Sequence, residues 1–201
     1  MKKVVLSCLI WGAFLMVPIL GYTSDTSAGK QLEASIDEIL AVLKDESLKG
    51  EANTARRREA LREKIYRRFD FEKMSQFSLG RHWRGRTAEE RQTFVTLFSQ
   101  LLENTYVGKI EAYTDEEVIF VKEQVRDNKA QIDTKIITDS IEIPIFYRMY
   151  ETDTGQWMVF DLVVEGVSLV ANYRSQFARM LESDSFESVL QELEKKNQSD
   201  P

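Results

Sequence analysis

The segment Gln156-Trp-Met-Val-Phe-Asp-Leu-Val-Val164 carries large apolar side chains at alternating positions on both of its sides. As a β-strand it places Trp157, Val159, Asp161 and Val163 on one face and Met158, Phe160, Leu162 and Val164 on the other. An antiparallel strand normally shows one face to water. This one needs cover on both, from helices, another chain or a bound apolar ligand.

Working upstream, three more strands are predicted. Val118 to Val121 is the first; Gln131 to Ile137 sets Ile132, Thr134 and Ile136 on one face. Ile141 to Tyr150 sets Ile141, Ile143, Ile145, Tyr147 and Met149 on one face. Short turns at Asp127-Asn128, Asp139-Ser140 and Asp153-Thr-Gly155 join them as antiparallel hairpins.

Before Tyr113 the period is helical. Leu32, Ile36, Ile39, Leu40 and Leu43 mark one amphipathic helix, and Ala60, Leu61, Ile65 and Phe69 a second, separated near Gly50. Phe71, Met74 and Phe77 form a short third helix capped by Gly80. Thr87-Ala-Glu-Glu90 is a capping box, in which each end residue satisfies the other's backbone. It opens a long helix striped with Phe94, Leu97, Phe98, Leu101, Leu102, Tyr106 and Ile110. Two helices, Leu169 to Leu181 and Phe186 to Lys196, follow the last strand. The fold class is α+β: a twisted antiparallel sheet of about four strands wrapped by helices.

The chain begins with Lys2 and Lys3, then an apolar run from Val4 to Leu20 broken by Cys8, Gly12 and Pro18. That order is a secretory signal, and the run falls short of a comfortable span of about 20 apolar residues with anchors. We read residues 1–23 as the signal, with cutting after Thr23 or, as the other candidate, at Ala28, and residues 24–201 as one domain. Cys8 is the only cysteine, so the exported part has no disulfide framework and depends on packing. The formal net charge is −6 and becomes more negative without Lys2 and Lys3. Such acidity speaks against nucleic acid as a partner and against adhesion to anionic headgroups. The local clusters Arg56-Arg57-Arg58, Arg67-Arg68 and Arg81/Arg84/Arg86 read as solvated helix faces.

Catalytic motifs are scarce. There is one histidine, His82, and no H-E-x-x-H, P-loop or G-x-G-x-x-G; Gly166-Val-Ser168 lacks the second glycine of a nucleophile elbow. Ser168 suits the N-cap of the following helix. Asp161 is a carboxylate among apolar neighbours, costly unless paired. Its expected partner is Arg174 or a backbone amide; the functional alternative is a raised-pKa acid or base of a small hydrolase or isomerase. Large apolar side chains are numerous enough either to fill a helix-on-sheet core or to line a cavity completed by an apolar ligand.

From Phe69 to Leu181 the sequence resembles the MlaC family of periplasmic phospholipid-binding proteins. The resemblance lies in Leu79-Gly80-x-x-Trp83-Arg84, in Thr87-x-x-x-Arg91-x-x-Phe94-x-x-x-Phe98-x-x-Leu101-Leu102-x-x-Thr105-Tyr106, and in Trp157-x-Val159-x-Asp161-x-Val163-x-Glu165-Gly166-Val167-Ser168-Leu169-Val170-x-Asn172-Tyr173-Arg174-Ser175-Gln176-Phe177. It implies a sheet and helices around a deep apolar lipid cavity. It further implies a non-enzymatic soluble carrier with phospholipid as cargo and no cofactor or metal. Such a carrier works between an outer-membrane lipoprotein complex and an inner-membrane lipid ABC transporter, supporting outer-membrane lipid asymmetry. On that basis the cavity is expected to be lined by Phe94, Leu97, Phe98, Leu101, Tyr106, Val118, Phe120, Ile132, Ile143, Ile145, Tyr147, Trp157, Val159 and Val163. A single bulge would bring in Met158, Phe160, Leu162 and Val164 for the last strand. A hopanoid or sterol-like cargo is the alternative.

Overall fold

The structure is a computed structural model that describes residues 27–112, 116–138 and 140–199. The signal reading of residues 1–23 and the turn residue Asp139 lie outside these described residues.

Helices α1 (Ala28–Lys44), α2 (Thr54–Arg68), α3 (Phe71–Leu79) and α4 (Ala88–Glu111) come first. Strands β1 (Glu117–Arg126), β2 (Lys129–Ile137), β3 (Glu142–Glu151), β4 (Trp157–Val164) and β5 (Val167–Ser168) follow, and helices α5 (Leu169–Ser183) and α6 (Phe186–Ser199) come last. The strands form one open antiparallel sheet in sequence order, four long strands and the short β5. The α+β class is as expected; β1 is longer than the apolar pattern indicated because its second half is polar and exposed.

Local signals set the helix ends. Thr87 and Glu90 form the full capping box, with Glu90 N donating to Thr87 Oγ1 at 3.2 Å and Thr87 N to Glu90 Oε2 at 2.7 Å. Ser168 caps α5 by accepting from Ala171 N at 3.0 Å. Gly80 ends α3 at φ 54°, and a Cβ there would lie 3.2 Å from Arg174 Cδ, so both conformation and space favour glycine.

Two cores result. In the helical one, Phe94 and Phe98 of α4 pack on Phe177 with ring centroids 5.2 and 5.6 Å apart, and Phe94 lies 6.0 Å from Phe186 of α6. In the other, Ala28 and Leu32 of α1 press on Ala130, Ile132, Met149, Trp157 and Val159 of the sheet. Phe69 touches both. It also forms a parallel bridge to Val159, and Asp70 N donates to Val159 O at 2.8 Å, closing the outer edge of β4.

Simple alternation along β4 does not survive. Met149 stands opposite Val159 and Arg148 opposite Asp161, leaving Phe160 as an extra residue, a β-bulge. Beyond it the faces exchange. Leu162 joins Val159 against the α1 core, while Asp161 and Val163 share the opposite face with Arg148 and Phe146. Helices cover both sides: α1 on the Val159 face, α3 and α5 along the other, where Phe77 meets Phe160 edge-on at 5.5 Å.

Within the arginine clusters Arg56, Arg67, Arg81 and Arg84 are exposed, as solvated faces require, and Arg68 departs from that reading. Arg68 is half-buried; its Nε donates to Ser35 Oγ at 2.7 Å, and its Nη1 to Gln31 Oε1 at 2.9 Å and to Trp157 O. Gln31 Oε1 also accepts from Trp157 N at 2.9 Å. One guanidinium thereby joins α1, α2 and β4. Elsewhere α2 reaches α4 through Arg57–Glu111 at 2.9 Å and Arg62–Glu103 at 2.7 Å, and α1 through Arg67–Glu38 at 2.7 Å.

Candidate functional site

The sheet register lays the apolar residues of one face out in cross-strand rows. Val118, Ile136 and Ile143 make the first; Phe120, Thr134, Ile145 and Val164 the second; Ile132, Tyr147 and Leu162 belong to the third; Ala130, Met149 and Val159 to the fourth. Helix α1 seals the fourth row and the Ile132 end of the third, where side chains are fully buried. Across the first two rows, Val118, Phe120, Ile136, Ile143, Ile145 and Val164 are only half-buried. Thr134 is the exception, with its hydroxyl donated to Ile145 O at 3.0 Å.

Between the start of α1 and β1 lies a groove of about 290 Å³. Phe120 and Ile132 are its apolar residues beside Val121, and Ser27, Gly29, Lys30, Glu33, Lys122 and Glu123 bring its polar groups. Glu123 Oε1 accepts from Gly29 N at 3.1 Å, holding the α1 terminus to β1 with a carboxylate where the helix dipole favours one.

Val118, Phe120, Ile143, Ile145 and Tyr147 thus share one half-buried surface, with Ile132 at its margin. Trp157 and Val159 are on the same side but locked beneath α1. Phe94, Phe98 and Leu101 belong to the helical core, and Leu97 and Tyr106 pack half-buried against it. Val163 faces the other way, displaced by the bulge. Leu162 and Val164 take its place, as the one-bulge alternative anticipated for those two positions. Sequence reading missed α1 as the cover of the face, since the strand pattern does not say which helix will lie on it.

Titration behaviour follows burial. Burial pushes the Tyr147 phenol up to about 12. Tyr150, on the opposite face, also stands at about 12, through burial first and then its hydrogen bond to Asp70. Burial also raises Tyr106 and Tyr173.

Asp161 is occupied structurally. Its Oδ2 accepts from Ser168 Oγ at 2.7 Å and from Arg148 Nη1 at 2.9 Å, and its Oδ1 from Val170 N at 3.1 Å. The expected backbone amide is present; the ion-pair partner is Arg148 rather than Arg174, because the bulge turns Asp161 toward its cross-strand neighbour. Among the described residues no group of three or more His, Cys, Asp or Glu could hold a metal ion. No helix among them is long and apolar enough to cross a membrane.

A helix-wrapped antiparallel sheet with one half-buried apolar face makes this a small α+β module. The profile of the MlaC protein family matches residues 33–195, and the chain belongs to that family. A relative from Haemophilus influenzae, the intermembrane phospholipid transport system binding protein MlaC, is 24% identical over 121 residues, 58% of this chain. The match spans 56% of that relative's length. Among solved structures, a phospholipid-binding protein from Ralstonia solanacearum, in complex with a phospholipid, shares the fold with a TM-score of 0.78. That likeness covers 86% of this chain and 98% of the other, at 24% identity.

Proposed function

We propose that this protein is a phospholipid carrier that holds acyl chains against the half-buried rows of the sheet. The observation that carries the reading is the face itself: contiguous large apolar side chains on β1 to β4, left half-buried although helices are available to cover them. Family membership supports it, as do the phospholipid named for the Haemophilus relative and bound by the Ralstonia protein. Phe120 and Ile132 at the α1–β1 groove offer the entry, with Lys30 and Lys122 placed for a headgroup.

The energetics suit a carrier. Each methylene removed from water contributes about 0.8 kcal/mol, so two long chains are held by about 20 kcal/mol relative to solvent. Escape into water is negligible, and transfer needs an apolar acceptor or a partner that opens the site. The groove lies at the small end of ligand cavities, about 300–1,000 Å³, so loading a whole lipid moves α1 outward.

On this reading residues 1–23 serve as an export signal, and the carrier works in the periplasm between an outer-membrane lipoprotein complex and an inner-membrane lipid ABC transporter. Its service there is outer-membrane lipid asymmetry, by transport and without catalysis. Cutting after Thr23 keeps Ser27 as the cap of α1 and Ala28 within the α1 core, which favours that site over Ala28. The test is mass spectrometry of an organic extract of the purified protein after incubation with phospholipid vesicles. Phospholipid in the extract supports the reading; a hopanoid in its place redirects it, and a lipid-free extract refutes it.

A further inference from the structure

Tyr147 sits mid-sheet between Ile132 of β2 and Leu162 of β4, on the half-buried face. Among the described residues its hydroxyl neither donates nor accepts a hydrogen bond, whereas the phenol of Tyr150 is engaged by Asp70. The side chain is half-buried on this face, and burial pushes its phenol up to about 12. The hydroxyl is therefore available to a partner in the space over the half-buried face.

The chemistry of that space narrows the partner. The phenol stays protonated at physiological pH and so offers a donor. Its register neighbours on the face are Ile132, Leu162, Ile145 and Met149, none of them charged. A phosphate there would lie unpaired in an apolar setting, at high cost; a neutral carbonyl oxygen would not. We infer that the Tyr147 hydroxyl donates a hydrogen bond to an acyl-ester carbonyl of the bound glycerolipid, fixing the depth at which the chains sit. This rests on the carrier function proposed above and adds a polar anchor to an otherwise apolar site.

The test crosses two chemical changes. Retention of a diacyl phosphatidylcholine and of its diether analogue with the same chains is measured on the full-length protein and on Tyr147→Phe, after loading from vesicles. The wild type retains the ester lipid about fivefold better, as one hydrogen bond allows, and Tyr147→Phe holds the two equally. The ester C=O stretch of wild-type-bound lipid moves to lower frequency, a readout that needs no variant. An unaltered ester preference in Tyr147→Phe, or an unshifted carbonyl band, overturns the inference while leaving the carrier intact. Failure of the wild type to retain either lipid overturns both. Thermal stability separates a structural role: Tyr147→Phe keeps its midpoint, and a marked loss would assign the hydroxyl to the fold instead.

Discussion

Arg148 and Asp161 are cross-strand neighbours joined at 2.9 Å, but they do not share burial: the Asp161 side chain is 4% exposed and that of Arg148 45%. The pair is therefore asymmetric. Removing the buried acceptor in Asp161→Ala strands Ser168 Oγ and Val170 N at the start of α5 and costs about 3 kcal/mol. Removing the exposed donor in Arg148→Ala leaves both other bonds in place and costs about 1 kcal/mol or less. Urea denaturation of the two variants checks this, and equal losses would contradict it.

Arg68 supports a second prediction. Its acceptors on Gln31, Ser35 and Trp157 are all neutral, and burial lowers its pKa, so it acts as a rigid fork rather than as half of an ion pair. Arg68→Lys keeps the charge but cannot reach all three, and is expected to cost about 2 kcal/mol. Hydrogen exchange should show α1 losing protection while α4 and α6 keep theirs; uniform loss would mean that α1 does not open separately.

Tyr147 and Tyr150 give the pH dependence. Both phenols are held above their ordinary value of 10, at about 12, so the folded chain binds those protons more tightly than the unfolded one. The corresponding stability is fully present below pH 10 and is lost as pH rises from 10 toward 12. Phenolate absorbance and unfolding followed together should show this window. Tyr150→Phe should flatten part of it; a stability curve level to pH 12 would refute the assignment.

The α2–α4 bridges form a clamp at the edge of the molecule. Glu103→Gln with Glu111→Gln breaks Arg62–Glu103, Arg57–Glu111 and Arg58–Glu111, pairs partly open to solvent, so the stability cost is about 1–2 kcal/mol. Phospholipid uptake from vesicles should become faster in the variant, and added salt should speed the wild type toward it. Salt-independent uptake, the same in both proteins, would rule out the clamp as a gate.

Much of the fold could be read from residue pattern. The capping box at Thr87, the cap at Ser168, the alternation of Ile132 to Ile136 and of Ile143 to Met149, and the double cover of β4 depend on local spacing, which sequence displays directly. The site was less legible. Phe94 and Phe98 belong to an apolar stripe whether they meet Phe177 or a ligand, because periodicity reports a buried face and not what buries it. The Phe160 bulge lies beside the Phe69–Asp70 segment that closes the β4 edge, a contact between distant parts of the chain. Arg68 and Tyr147 were hidden differently: one sat in a charge cluster, the other in an apolar alternation, and each departs from its group only through its surroundings.

Location of the bound lipid tests the account most directly. A photoreactive benzophenone side chain is placed at Ile145, on the half-buried rows, and separately at Val125, 54% exposed on β1. Each protein is irradiated with phospholipid vesicles and weighed by mass spectrometry. A phospholipid adduct is expected at position 145 and little or none at 125. No adduct at 145, or equal labelling at both positions, would contradict it.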